Sequence, residues 1–329
     1  MGVSVVIPCL NEENYIKDCL DSLIENGCDI PEFEILIVDG GSMDATLDIV
    51  EGFQKKQPSI RLIENRKKKT PFALNLGIQH SRFEYILIAG AHAVYPKKYL
   101  PTLLAHFSNP GIDVIGGAIA TKVKTETPKT RAIQCVLSHR FGVGNSTFRI
   151  GAGSLQIVDT VPFGLYKKKV FNVAGLYNEK LILNHDIELS KRIGSKGFKI
   201  WLDPTLQVDY FARETFQALA HNNYGNGYWN VKTLFITRNF SSLSIRHYIP
   251  LVFIFSLILP TLFGFFVSPV FICIALASLT SYLVILLLIA TKEMKTYSIK
   301  YLLLAFISLH FSYGFGSLVG LFSLVRPWK

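Results

Sequence analysis

The sequence predicts an α/β domain built on a doubly wound, mostly parallel sheet, followed by C-terminal transmembrane helices. Three observations carry this reading. Short apolar runs at residues 3–8, 33–38, 60–63 and 85–88 alternate with helical segments, the order that builds a parallel sheet covered on both faces. Each run stops at polar or glycine residues, so the stops gather at one sheet edge, where open α/β sheets bind ligands. From residue 248 to residue 324 the chain is nearly free of charge apart from one short loop.

Residues 3–8 (VSVVIP) make the first strand, which breaks at Pro8. Asn11-Glu12-Glu13 then open a helix to about residue 25, with Leu20, Leu23 and Ile24 on its inner face. The second strand, 33–38, holds four consecutive apolar residues, Ile35, Leu36, Ile37 and Val38, without alternation and therefore reads as buried and parallel. It ends at Asp39, and Gly40-Gly41-Ser42 turn the chain toward Asp44, which can cap a helical run over 45–53. A carboxylate at the end of a parallel strand points into the ligand crevice. Asp39 either accepts hydrogen bonds from a base or ribose there, or caps its own turn. No G-x-G-x-x-G follows a strand, so a dinucleotide on a helix N-terminus is not the natural ligand. The third strand, 60–63, leads through a basic loop (66–69) to a helix over 70–79. The fourth, 85–88, ends at Ala89-Gly90-Ala91-His92.

A further strand over 113–117 precedes a polar, basic region, 121–131. Residues 140–153, rich in Gly, Asn, Ser and Thr, read as a mobile surface loop. Residues 158–166 are strand-like but broken by Pro162 and Gly164, and a helix over 168–174 follows. Asn184-His185-Asp186 open a helix to residue 195, with Asp186 in the first turn, where the macrodipole favours an ionised acid. Residues 198–202 and 206–208 are two short strands.

Residues 214–248 are helical in parts and mix Tyr224, Tyr228, Trp229 and Phe235 with Lys232, Arg238 and Arg246. Such a segment either lies in a membrane interface or packs an amphipathic face on the sheet, and the apolar chain that follows favours the interface. Residues 249–267, 270–290 and 302–325 are each long enough to span a bilayer, and 267–269 leave room only for a tight hairpin. The loop 291–300 carries Lys292, Lys295 and Lys300 against Glu293, which makes it cytoplasmic by the positive-inside rule. Counting back two spans places the N-terminal domain in the cytoplasm, at the plasma membrane. The expected parts are a domain over 1–212, an interfacial segment over 213–248 and a membrane domain over 249–329.

Composition agrees. A hydrophobic share of 50% with mean hydropathy +0.32 is too apolar for a purely soluble chain. The net charge of +10 suits lipid head groups and sugar phosphates, and no nucleic-acid-binding motif is present. Five cysteines without a C-x-x-C pair argue against a zinc site or disulfide framework and for a reducing compartment. A strand that begins within three residues of the start is not a cleavable signal peptide.

The run VSVVIPCLNE (3–12) followed by IVDGGSMDAT (37–46) resembles the opening of the family 2 inverting glycosyltransferases of GT-A fold. The resemblance continues through ALNLG (73–77), AHAVYP (91–96), VDTVPFG (158–164), 184–189, KIWLDP (199–204) and Tyr224-Gly225-x-Gly227. It covers roughly residues 3–230 and is nearest the succinoglycan-biosynthesis-type membrane enzymes. Inverting transfer needs a base for the acceptor hydroxyl and positive charge for the departing nucleoside diphosphate. The resemblance puts Asp186 in the place of the catalytic base and Asp39 in that of the acid contacting the nucleotide's base. Pro8 and Glu12 match the loop around the nucleoside, Asn75 the helix residue beside it, and Gly90 and His92 the loop facing the diphosphate. Lys67, Lys68 and Lys69 are a charge run that either attracts phosphate or is simply solvated.

Three departures remove charge from that pattern. An Asp-x-Asp or Asp-Ala-His normally holds Mg²⁺ or Mn²⁺, but Gly90 occupies the first position, leaving His92 as the candidate metal ligand. His185 stands where Glu is usual, and 221–229 lacks an arginine before Tyr-Gly. The implied function is transfer of a sugar from a nucleotide-diphosphate donor, a UDP-sugar, to a polyprenyl-diphosphate-linked acceptor in extracellular or surface polysaccharide biosynthesis. One alternative is a catalytically impaired relative serving as a scaffold subunit in a polysaccharide assembly complex. Another, a processive synthase with a pore, is disfavoured by only three spans and no Q-x-x-R-W.

Overall fold

In the computed structural model, which describes residues 1–324, the chain opens with β1 (Gly2–Cys9), α1 (Ile16–Gly27), β2 (Glu32–Asp39), α2 (Thr46–Gln54), β3 (Ile60–Glu64), α3 (Thr70–His80) and β4 (Tyr85–Ile88). It continues through β5 (Ala93–Val94), α4 (Tyr99–His106), β6 (Val114–Lys122), α5 (Pro128–Ser138), and the short helices α6 (Arg140–Val143) and α7 (Thr147–Ile150). Next come β7 (Gln156–Val158), β8 (Leu165–Lys167), α8 (Lys168–Ala174), α9 (His185–Ser195) and β9 (Ile200–Phe211). The helices α10 (Phe216–Thr237), α11 (Ile249–Phe266), α12 (Val270–Lys292) and α13 (Ile299–Phe322) complete it.

The strands form one sheet in the order β3-β2-β1-β4-β8-β6-β9-β5, with β7 paired to β9. β3, β2, β1 and β4 run parallel, and β8 begins an antiparallel half against β4 and β6. Alternation along β1 divides its side chains between two cores. Val3, Val5 and Ile7 pack with Cys19, Leu20 and Leu23 of α1 and with Tyr99 and Leu103 of α4. Val6 joins Leu36 and Val38 beneath Ala73 and Leu74 of α3, Phe171 of α8 and Leu189 of α9. Each fully buried aliphatic side chain contributes about 1.5–3 kcal/mol, so a strand buried on both faces is a strong organising element. This is the doubly wound arrangement that the apolar runs predict.

One unit comprises Met1–Thr121 and Thr147–Phe211, and a second comprises Lys122–Ser146 and the chain from Ala212 onward. In the second unit α11, α12 and α13 are long and apolar enough to cross a membrane. Residue 325, where the sequence ends the third span, lies outside the described residues.

Local differences from the sequence reading have physical causes. Residues 10–15 turn before α1 begins at Ile16, because Asn11 adopts a left-handed φ of 56°. Residues 140–153 are not a featureless loop but carry α6 and α7. The two short strands at 198–202 and 206–208 are one, β9, running through Pro204. It serves different neighbours at its ends: Ile200–Leu202 pair with β7, and Asp209–Tyr210 with β5. The segment after residue 213 contains one continuous helix of 22 residues, α10, started by Thr215, whose side chain accepts from the Ala218 N–H at 3.1 Å. α10 packs closely along α13: a Cβ on Gly227 would lie 2.0 Å from the Tyr313 carbonyl oxygen.

Candidate active site

The carboxyl ends of β1, β2 and β4 open onto a cleft of about 210 Å³. It is lined by Pro8, Glu12, Gly40, Lys68, Gly90 and His92, among others. The loops after β1 and β2 are tied together where the chain leaves the sheet. Asn11 N–H donates to Ser42 Oγ at 2.9 Å, and Asn11 Oδ1 accepts from Met43 N–H at 2.9 Å. Glu12 N–H donates to Thr46 Oγ1 at 2.8 Å, and Glu13 Oε2 accepts from Ala45 N–H at 3.0 Å. Asp44 accepts from Thr46 N–H at 3.0 Å and from Glu13 N–H at 3.2 Å, so it satisfies the first N–H of α2, one residue ahead of the N-cap Ala45, and fixes the neighbouring loop. These bonds hold the Glu12 side chain against His92, whose Nδ1 lies 3.2 Å from Glu12 Oε1.

Four of the sequence-selected residues, Pro8, Glu12, Gly90 and His92, therefore meet in one cleft. Asp39 does not line it. Its carboxylate is turned onto its own loop, accepting from Gly41 N–H at 2.7 Å, Ser42 N–H at 3.0 Å and Ser42 Oγ at 2.5 Å. Asn75 is also elsewhere. It donates to the Tyr177 carbonyl and to Glu179 Oε1, both at 3.0 Å, and accepts from Tyr177 N–H at 2.9 Å. It thus fixes the connection that leads into α9. Of the basic run, Lys68 and Lys69 line the cleft and Lys67 does not. Asn65 shapes this loop, donating to the Lys69 carbonyl at 3.0 Å.

Asp186 lies in the first turn of α9, exposed to solvent. The helix is anchored by Arg192, which bonds Glu188 at 2.9 and 2.8 Å and donates to the carbonyls of Ala174 and Leu176. His185, beside it, is turned inward against the edge of Tyr177, with ring centroids 5.6 Å apart. Burial holds the His185 imidazole below its ordinary pKa, so the ring that replaces a glutamate here adds no positive charge at neutral pH.

What lies between His92 and Asp186 was not legible in the sequence. The His92 ring meets Tyr210 at 5.0 Å, and the Arg149 guanidinium lies over the Tyr210 ring at 5.6 Å and over Phe148 at 5.5 Å. Arg149 Nη1 is buried without a hydrogen-bond partner among the described residues. Burial pulls the Arg149 pKa below its ordinary value, while Tyr210 and the Asp186 carboxylate, near enough to act on it, oppose the shift. The guanidinium remains charged. The trace in the sequence is an aromatic–arginine pair, Phe148-Arg149, in a stretch rich in Gly, Asn, Ser and Thr.

Cys9 also lines the cleft, but burial, with Glu12, Asp39 and Asp44 nearby, pushes its thiol well above the ordinary range. It is no nucleophile at neutral pH.

The residues present do not fit a resident Mg²⁺ or Mn²⁺, which favour oxygen-rich, octahedral surroundings. A Cβ on Gly90 would lie 2.7 Å from Phe163 Cε1, so an aromatic ring fills the room an acid would need. The remaining candidates, Glu12 and His92, are engaged with each other. Among the described residues no three His, Cys, Asp or Glu side chains gather as a metal site.

The profile of the Glycosyl transferase family 2 matches residues 4–173. The chain is 28% identical over 251 residues to the dolichyl N-acetyl-alpha-D-glucosaminyl phosphate 3-beta-D-2,3-diacetamido-2,3-dideoxy-beta-D-glucuronosyltransferase of Methanococcus voltae, covering 71% of this chain and 77% of that protein. It is 26% identical over 249 residues to the succinoglycan biosynthesis protein ExoA of Rhizobium meliloti (strain 1021), covering 75% and 74% of the two chains. Among solved structures it is similar to the mannosyltransferase PcManGT from Pyrobaculum calidifontis in complex with GDP-Man and Mn²⁺. That match has a TM-score of 0.60 at 15% identity and covers 98% of this chain and 88% of the other.

Proposed function

The chain belongs to glycosyltransferase family 2, and from that premise we propose that it transfers a sugar, with inversion, from a UDP-sugar to a polyprenyl-diphosphate-linked acceptor. The product would feed extracellular or surface polysaccharide biosynthesis. The catalytic unit would stand on the cytoplasmic side of the plasma membrane, anchored by α11, α12 and α13. The lipid-linked acceptor is supported by the names of the two relatives, a transferase acting on a dolichyl-linked saccharide phosphate and a succinoglycan biosynthesis protein.

The observation that carries this reading is the route from cleft to acid. Pro8, Glu12 and His92 gather where the parallel strands end, and Tyr210 and Arg149 lead from His92 toward Asp186. The nucleoside diphosphate occupies the cleft, Lys68 and Lys69 flank its phosphates, and the sugar extends toward Asp186. The acceptor hydroxyl attacks the anomeric carbon as Asp186 takes its proton, and the bond to the diphosphate oxygen breaks with its electron pair. Asp39 acts through the loop it shapes, and Asn75 through the connection to α9.

The test is sugar transfer by the purified full chain in lipid, over a panel of nucleotide sugars and a lipid-linked acceptor extract, with Mg²⁺, Mn²⁺ or chelator. Asp186→Asn should lower turnover by roughly 10²–10⁴-fold, the usual worth of a general base, while donor binding survives. Unchanged turnover in the variant would remove Asp186 from the mechanism. Donor binding with no turnover by the unaltered chain would favour the assembly-subunit role.

A further inference from the structure

We infer that Arg149 is a cation that, beside Lys68 and Lys69, holds the donor's diphosphate and stabilises it as it departs, in a site where no acid at position 90 gathers a metal ion. The inference rests on the reading above, that the cleft binds a nucleoside-diphosphate donor. Three observations lead to it.

First, the charge a departing diphosphate needs must come from somewhere. Transfer leaves the electron pair of the broken carbon–oxygen bond on the β-phosphate, while the acceptor's proton goes to Asp186, so negative charge builds on the diphosphate side alone. Gly90 with Phe163 against it cannot supply a metal-binding acid, and His185 is buried in its uncharged form, which leaves Lys68 and Lys69 on the loop after β3 and Arg149 beyond His92 as the cations at hand. Second, Arg149 is held ready. Its guanidinium lies over both the Tyr210 and the Phe148 ring, while Nη1 is buried and makes no hydrogen bond among the described residues. A buried, unsatisfied donor on a charged group is costly, and a site that retains one has a use for it. Third, its position is right. Tyr210 bridges Arg149 to His92 at the cleft, and the Asp186 carboxylate is near enough to act on the guanidinium. A diphosphate leaving the cleft at His92 with its sugar directed at Asp186 passes this group. Arg149 Nη1 would donate to a phosphate oxygen, and the planar fork suits a diphosphate better than a lysine would.

The experiment is calorimetric titration of the purified full chain in nanodiscs with UDP, GDP and dTDP, and with the matching nucleosides, in chelator. The unaltered chain should bind one diphosphate more tightly than its nucleoside without added metal. Arg149→Met should weaken that diphosphate by about ten- to a hundred-fold and leave the nucleoside unchanged, as expected for one charge-assisted hydrogen-bonding group. Arg149→Gln takes its place should the methionine variant not fold, judged by its melting curve. Diphosphate binding that appears only with Mg²⁺ or Mn²⁺, or that is equal in the variants, overturns the role of Arg149 and leaves the donor reading intact. Binding of none of the nucleotides overturns both.

Discussion

Burial of the His185 ring gives a measurable pH dependence. Its pKa is lowered from the ordinary 6.5 by desolvation, so the folded chain refuses a proton that the unfolded chain accepts below that value. Stability is therefore complete above about pH 6.5 and falls as the pH drops through the window beneath it. The melting temperature should decline between pH 7.5 and 5.5, and less steeply in His185→Phe, which removes this proton uptake. A decline of equal slope in both proteins would show that His185 is not buried in its neutral form. Position 90 makes a complementary point at the same scale. There the absent carboxylate is visible in the sequence, but its reason, the Phe163 ring occupying the space, is not. Arg149 is hidden for a similar cause, since its meaning comes from Tyr210, a partner far along the chain that no local pattern announces.

At the scale of elements, glycines divide into those that permit contact and those that do not. α10 and α13 touch through Gly227 and Gly316, where an added Cβ would lie 2.0 Å from the carbonyl oxygens of Tyr313 and Tyr224. These are backbone atoms that cannot swing aside, so small residues set the helix separation. Gly316→Ala should destabilise by about 1–3 kcal/mol, the cost of overpacking. Gly52, inside α2, has nothing within 4 Å of its added Cβ. Gly52→Ala should stabilise by about 0.5–1 kcal/mol by relieving the entropic cost of glycine in a helix. Melting curves of the two variants moving in the same direction would contradict this packing. The elements themselves were mostly legible, because an apolar run such as Ile35-Leu36-Ile37-Val38 has few ways to be buried other than as an inner strand. The continuity of β9 was not, since its two ends are held by different partners, β7 and β5, and pairing is a long-range property. The bonds of Asn75 were hidden for the same reason: its partners Tyr177 and Glu179 arrive from a distant loop.

For the whole molecule the open question is which side of the membrane holds the catalytic unit, and connectivity makes a definite prediction. α11 and α12 are joined by so short a turn that they form a hairpin, returning the chain to the side it left. Lys292 ends α12, Lys295 lies in the connection to α13 and Lys300 sits just inside α13, a bias that keeps such a loop cytoplasmic. Residues before α11 then share that side. The cysteines provide the probe, since Cys28 is exposed at the end of α1, Cys9, Cys19 and Cys135 are buried, and Cys273 lies within α12. In cells expressing the Cys273→Ser chain, a membrane-impermeant maleimide should leave Cys28 unmodified until the cells are permeabilised, and then label it readily. Cys28→Ser should abolish that labelling. Modification of Cys28 in intact cells would place the unit outside, where nucleotide sugars are not supplied, and would force a different donor chemistry on the cleft.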